Sequence, residues 1–174
     1  MYFSCRLNSA NPLYYMNPEF MRRACCPVPI FHIFGELGGT ANITVPGNCT
    51  VFPSILPDTV ELMRSIQEER CTVLMGPPII FQDLLRHPNK KDYDMSSLLL
   101  GIIAAAPVNP ILIEELEREI PIRIMSQGFG QTENTGCMTM SVYAGDDKRR
   151  RYLSVGKAMP RIEMKIVDTE NLII

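Results

Sequence analysis

No CxxC pair and no paired cysteine–histidine set occurs in the 174 residues, although six cysteines stand at 5, 25, 26, 49, 71 and 137. Zinc-site and thioredoxin-like chemistry therefore find no support in the spacing. An excess of one charge sign is missing as well: 17 Lys plus Arg face 19 Asp plus Glu, for a formal charge of −2. Such a balance gives no electrostatic footprint for a nucleic-acid partner. No apolar run reaches the roughly 18 residues that mark a membrane span. No signal peptide with an apolar stretch opens the chain, which argues for reduced, intracellular thiols, mitochondrial or cytoplasmic. The opening segment, with Arg6, Arg22, Arg23 and the single acidic Glu19, is a poor organelle-targeting candidate. The sequons at Asn42 and Asn48 are chance matches unless the protein is secreted. Internal repeats and low-complexity tracts are absent.

What is present fits a soluble globular core: 46% hydrophobic and 21% charged residues, in a length suited to one domain or part of a larger one. Residues 1–24 have no clear period and stay unassigned; the organised pattern occupies 25–174. Cys26-Pro27-Val28-Pro29-Ile30-Phe31 reads as a short buried strand ending at His32, and Gly35 to Ala41 as a closely packed helix. Thr50-Val51-Phe52 is a brief strand. Asp58-Thr59 opens a helix to about Arg70, with Val60, Leu62, Met63 and Ile66 on one face. Cys71 to Met75 is a buried strand closed by Gly76, and Pro77-Pro78 starts a helix that stops near His87-Pro88. Leu98 to Ile103 is the next strand. Asn109 is a natural N-cap with Pro110 behind it, for a helix to about Glu119.

Ile122 to Met125 is a further strand, followed by a glycine-bearing loop from Gln127 to Gly136 and a strand around Cys137 to Val142. Lys148 to Arg151 reads as a solvated loop, and Ile162 to Val167 alternates like a half-exposed strand. Strand, helix, strand, helix at this spacing predicts an α/β fold of βαβ units on a largely parallel sheet. In such sheets ligands bind beyond the carboxyl ends of the strands. The loops 32–39, 104–107 and 127–134 all leave strand ends there.

Gln127-Gly128-Phe129-Gly130-Gln131-Thr132-Glu133-Asn134 is the most distinctive segment. Two glycines around an aromatic let the backbone approach a flat ligand, with Phe129 as a stacking face. A hydroxyl and then a carboxylate suit a phosphate oxygen and a hard divalent cation. The plainer reading is a turn whose Thr132 and Glu133 cap the next element, and His32 after a strand can equally be a satisfied structural residue.

Gly128-Phe129-Gly130-Gln131-Thr132-Glu133 resembles the tyrosine-glycine-any-threonine-glutamate motif of the adenylate-forming (AMP-binding) superfamily of acyl-CoA synthetases, luciferases and peptide-synthetase adenylation domains, with Phe129 replacing tyrosine. The resemblance implies that Thr132 binds the α-phosphate, that Glu133 binds magnesium, and that Gly128, Phe129 and Gly130 line the adenine pocket. Ile103-Ala104-Ala105-Ala106-Pro107 is similar to the family's glycine-rich strand end, the other adenine wall, with alanines in place of glycines whose methyls would crowd a purine. Phe31-His32-Ile33-Phe34-Gly35 resembles the aromatic/His segment of the acyl pocket; by this likeness His32 orients the substrate carboxylate, and Phe34 and Gly35 line the acyl wall.

The likeness extends over Pro27 to Asp168, through Thr72–His87 and Val155–Pro160, and is closest in flavour to medium-chain fatty-acid acyl-CoA ligases. It implies a partial N-terminal domain of an ATP-dependent enzyme that joins a medium- or long-chain fatty acid to CoA through an acyl-adenylate, releasing AMP and pyrophosphate. Nothing between Met1 and Phe31 resembles the family's lysine-bearing phosphate loop, and the C-terminal domain with its catalytic lysine would follow Ile174. The chain is thus expected to be a fragment, inactive alone. The alternatives are a catalytically dead nucleotide-binding scaffold that keeps the adenine crevice, and a structural α/β domain with a coincidental motif.

Overall fold

Seven strands lie in the order β2-β1-β3-β4-β5-β6-β7 in a computed structural model that describes residue 20 and residues 22–44, 47–141, 147–160 and 162–168. The strands are β1 Arg23–Cys25, β2 Cys49–Val51, β3 Val73–Gly76, β4 Leu100–Ile103, β5 Ile124–Phe129, β6 Thr139–Met140 and β7 Lys157–Ala158. The first five pair in parallel, and β6 and β7 add antiparallel. The α/β class with a largely parallel sheet is therefore observed.

The helical elements are α1 Ile33–Gly35 running into a π-helical turn Glu36–Thr40, α2 Thr59–Glu68, α3 Pro78–Arg86, α4 Pro110–Glu119 and α5 Lys148–Leu153. Caps start them where the sequence puts them. Asp58 Oδ1 accepts the amides of Val60 and Glu61 at 2.9 and 3.0 Å, and Asn109 Oδ1 that of Ile111 at 3.0 Å, each worth about 1 kcal/mol. Proline opens α3 and α4, where its missing N–H costs nothing.

The sheet is covered on both faces, which is why β3 and β4 are buried at every position. Strand alternation sorts the side chains. Cys25, Leu74, Ile103 and Met125 join Leu62, Met63, Ile66, Phe81, Leu84, Leu112, Ile113 and Leu116 from α2, α3 and α4 in one core. Ala24, Val73, Met75, Leu100 and Ile102 face the other way, into a methionine-rich cluster with Met140, Met159 and, from α1, Phe34. Each large aliphatic side chain so buried contributes roughly 1.5–3 kcal/mol.

Four sequence expectations need correction. The first strand is Arg23–Cys25, two residues before the division at 24/25, and not 26–31; after Cys26 donates to Val51, Pro27 and Pro29 have no N–H to continue a ladder. Ile30 and Phe31 are exposed, Phe31 by 92%. The basic run is a helix, because Asp147 Oδ1 caps it through the amides of Arg149 and Arg150. Ile162 to Val167 pairs with no strand among the described residues, and Ile166 is 78% exposed. The Cys137–Val142 strand shrinks to Thr139–Met140, with Val142 outside the described residues.

Candidate functional site: three loops at one sheet edge

Parallel pairing of β1, β3, β4 and β5 brings their carboxyl ends to one edge of the sheet. Beyond β1 the chain turns tightly: His32 N donates to Pro29 O at 3.1 Å, and a Cβ on Gly35 would stand 2.2 Å from that same oxygen, so Gly35 admits no side chain. His32 is the exposed N-cap of α1, and its Nδ1 accepts the Phe34 amide at 3.1 Å. With Nδ1 accepting, the neutral imidazole carries its proton on Nε2. Phe34 is half-buried.

From α1 the segment crosses β3. A Cβ on Gly38 would lie 2.0 Å from Met75 Sδ, so the backbone rests directly on that side chain. This crossing is how a loop that starts at β1 reaches the loop that follows β5.

The β4 end is the second wall. Ala104 N donates to Gly76 O at 3.2 Å, and the chain then turns through Ala105 at φ +70. A left-handed alanine costs about 1–2 kcal/mol relative to its usual backbone. Ala105, Ala106 and Pro107 are exposed.

The third loop begins later than its sequence suggests. Gly128 and Phe129 are strand residues, paired antiparallel with Met140 and Thr139, so the loop starts only at Gly130. The pairing partner of Phe129 lies ten residues downstream, and this pairing is why Gly128 does not end the strand. Phe129 is 40% exposed. Gly136 N donates to Gln131 O at 2.8 Å, closing a 3₁₀ turn Thr132–Asn134 that leaves Thr132 and Glu133 exposed. A Cβ on Gly130 would stand 1.8 Å from Gly136 O, so only glycine lets the loop fold onto itself here.

The loops touch. A Cβ on Gly136 would lie 2.5 Å from Leu37 Cδ1 and 2.9 Å from Ile33 Cγ1, and one on Gly128 would be 3.5 Å from Ala104 Cβ. The His32, Ala104–Pro107 and Gly128–Glu133 segments thus border one exposed stretch of the sheet edge. The donors there fit a nucleotide with a hard cation: a hydroxyl at Thr132, a carboxylate at Glu133 and a half-exposed aromatic face at Phe129. Among the described residues no group of three or more His, Cys, Asp or Glu side chains converges on a metal position.

Sequence reasoning missed the support behind this edge. Glu117 of α4 and Arg151 of α5 form a buried ion pair at 3.4 Å, with side chains 9% and 10% exposed. Tyr152 donates its hydroxyl to Glu117 Oε2; desolvation, with that carboxylate adding to it, pushes the phenol up to about 12. Glu117 sits four residues after buried Ile113, a spacing that places it beside the apolar face of α4 and could have flagged it. Nothing in the basic run distinguishes Arg151 from its neighbours. Thr139, opposite Phe129, keeps a buried hydroxyl with no hydrogen-bond partner among the described residues.

The sequence matches the family of AMP-binding enzymes over residues 3–173. The chain belongs to that family. Among curated relatives it is 35% identical over 150 residues to the acyl-CoA ligase sidI of Aspergillus fumigatus, covering 86% of this chain and 25% of that protein. It is 34% identical over 146 residues to the medium-chain acyl-CoA ligase ACSF2, mitochondrial, of Danio rerio, covering 84% and 24%. This AMP-binding chain therefore spans about a quarter of the length of the curated relatives it matches.

Solved structures that share its fold include two CoA ligases. The long-chain-fatty-acid-CoA ligase FadD1 of Archaeoglobus fulgidus superposes with a TM-score of 0.79 at 21% identity, over 99% of this chain and 35% of that one. The anthranilate CoA ligase AuaEII, solved with anthranoyl-AMP, gives 0.77 at 24% identity, over 87% and 29%. Among the described residues no helix is long and apolar enough to cross a membrane.

Proposed function

We propose that this chain forms the acyl-facing and adenine-facing wall of an ATP-dependent acyl-CoA synthetase, with residues 25–174 as a partial AMP-binding domain. The observation that carries the reading is the meeting of three loops at one sheet edge, with Gly136 against Ile33 and Gly128 beside Ala104. In this reading His32 uses its Nε2–H to orient a fatty-acid carboxylate beside Phe34 and Gly35. Ala105, Ala106 and Pro107 form one side of the adenine slot, and Gly128, Phe129 and Gly130 the other. Thr132 donates its hydroxyl to the α-phosphate, and Glu133 holds Mg²⁺, which when bound offsets charge on the phosphates.

The carboxylate attacks the α-phosphorus of ATP, pyrophosphate leaves, and the CoA thiol then displaces AMP. The matched segment makes up about a quarter of each of these relatives. On this reading the segments they carry beyond the matched quarter complete the reaction, and the 174 residues bind without turning over. The place of action is intracellular, mitochondrial or cytoplasmic, in keeping with the mitochondrial designation of one relative. A second reading is a nucleotide-binding scaffold that keeps the same slot without catalysis.

Calorimetric titration of the chain with a non-hydrolysable acyl-adenylate analogue tests the proposal. It expects binding heat that grows with Mg²⁺ and loses that Mg²⁺ dependence in Glu133→Ala. Absence of binding at millimolar analogue, or an unchanged response in Glu133→Ala, contradicts it. Turnover of the full-length protein with a medium-chain fatty acid, ATP and CoA separates the synthetase from the scaffold.

A further inference from the structure

Among the described residues, β6 pairs with β5 at Gly128 and Phe129. Just before that point, side chains bond directly to the β5 backbone. Glu117 Oε1 accepts the Met125 amide at 3.0 Å, Arg151 Nη1 donates to the Met125 carbonyl at 3.4 Å, and the Gln127 amide donates to Ser141 Oγ at 2.8 Å. Gln127 then reaches back: its Nε2 donates to the carbonyls of Arg151 and Tyr152 at 3.0 and 2.7 Å. The Glu117–Arg151 ion pair closes the circuit, so α4, α5 and β5 are clamped immediately before Gly128.

We propose that Gln127, Arg151 and Glu117 are positioning residues that fix the depth of the Gly128–Gly130 wall, and that nucleotide affinity depends on them although none is assigned to the ligand. The inference rests on the adenine-slot reading given above. The physical reason is geometric. Gly128 and Gly130 bring no side chain with which to adjust to a purine, so the wall is only as well placed as the strand that ends in it. Buried charge-assisted bonds of fixed direction hold a strand edge in one register more tightly than apolar packing, which tolerates sliding.

The test uses the whole chain with AMP and Mg²⁺ as the probe, in the wild type, Arg151→Met and Gln127→Met, alongside a core variant, Leu84→Val, as a control for general destabilisation. Hydrogen exchange read by mass spectrometry is followed in the peptide covering 124–130 and in the one covering β3. The clamp predicts exchange at least tenfold faster in 124–130 with β3 unchanged, and AMP binding at least tenfold weaker, in both polar-network variants but not in Leu84→Val. Arg151→Lys, which keeps the charge near Glu117, recovers part of the affinity. Wild-type affinity and exchange in Gln127→Met and Arg151→Met overturn the proposal; should Arg151→Met not fold, Gln127→Met decides alone. A wild-type chain that binds no AMP refutes the nucleotide reading instead, and the exchange data then report whether the clamp holds the strand.

Discussion

Gly136 packs against Ile33 so closely that a methyl on the glycine would come within 2.9 Å of Ile33 Cγ1. One residue belongs to the loop beyond β5 and the other to the helix that follows β1, strands separated in the sheet by β3 and β4. Their contact joins the segment of His32 to the segment of Glu133. Gly136 also has φ +90, where a side chain is strained whatever the space around it.

Gly136→Ala combines that strain with overpacking against Leu37 and Ile33, and is expected to cost about 2–4 kcal/mol. Urea unfolding checks this through a lower midpoint at an unchanged slope. Analogue binding should weaken in parallel, because the two loops separate.

Ala105→Gly is expected to stabilise the protein. Relief of the left-handed alanine is worth about 1–2 kcal/mol, and the added freedom of the unfolded chain offsets about 0.5–1 of it. A rise in the urea midpoint, with tighter AMP binding as the methyl leaves the slot, is the expected pair of results.

Much of this architecture is readable before any coordinates. Asp58 and Asn109 announce helices because their side chains bond locally, two and three residues on. Val73 to Gly76 announces a central strand because it is apolar throughout. The features that escape depend on distant partners. Phe129 is a strand residue only because Thr139 pairs with it, and Arg151 is buried only because Glu117, 34 positions earlier, receives it. Local pattern carries no trace of either. The motif residues themselves are visible in sequence, but their meeting at one edge requires the crossing of Gly38 over Met75.

Thr139→Val removes a buried hydroxyl that has no partner among the described residues. Leaving such a group unpaired costs about 1–3 kcal/mol, so the valine variant is expected to gain on the order of 1 kcal/mol once its imperfect shape match is allowed for. Thermal and urea unfolding of the pair of proteins check it.

Tyr152 titrates at about 12 in the folded protein, raised by desolvation first and by Glu117 next. Its unfolded value is near 10. A folded pKa above the unfolded one means that its stabilising contribution is complete below pH 10 and is lost as pH rises towards 12. The difference in tyrosinate absorbance between wild type and Tyr152→Phe should therefore rise near pH 12 and not near 10. Stability should fall less steeply in Tyr152→Phe over the same interval.

The most direct test is a chemical-shift map of the isotopically labelled chain during titration with an acyl-adenylate analogue and Mg²⁺. The account predicts that the resonances of His32, Ala105 and Phe129 move together along one binding curve, with Glu133 following only when Mg²⁺ is present. Shifts confined to a single loop, or none at saturating analogue, would contradict a shared site.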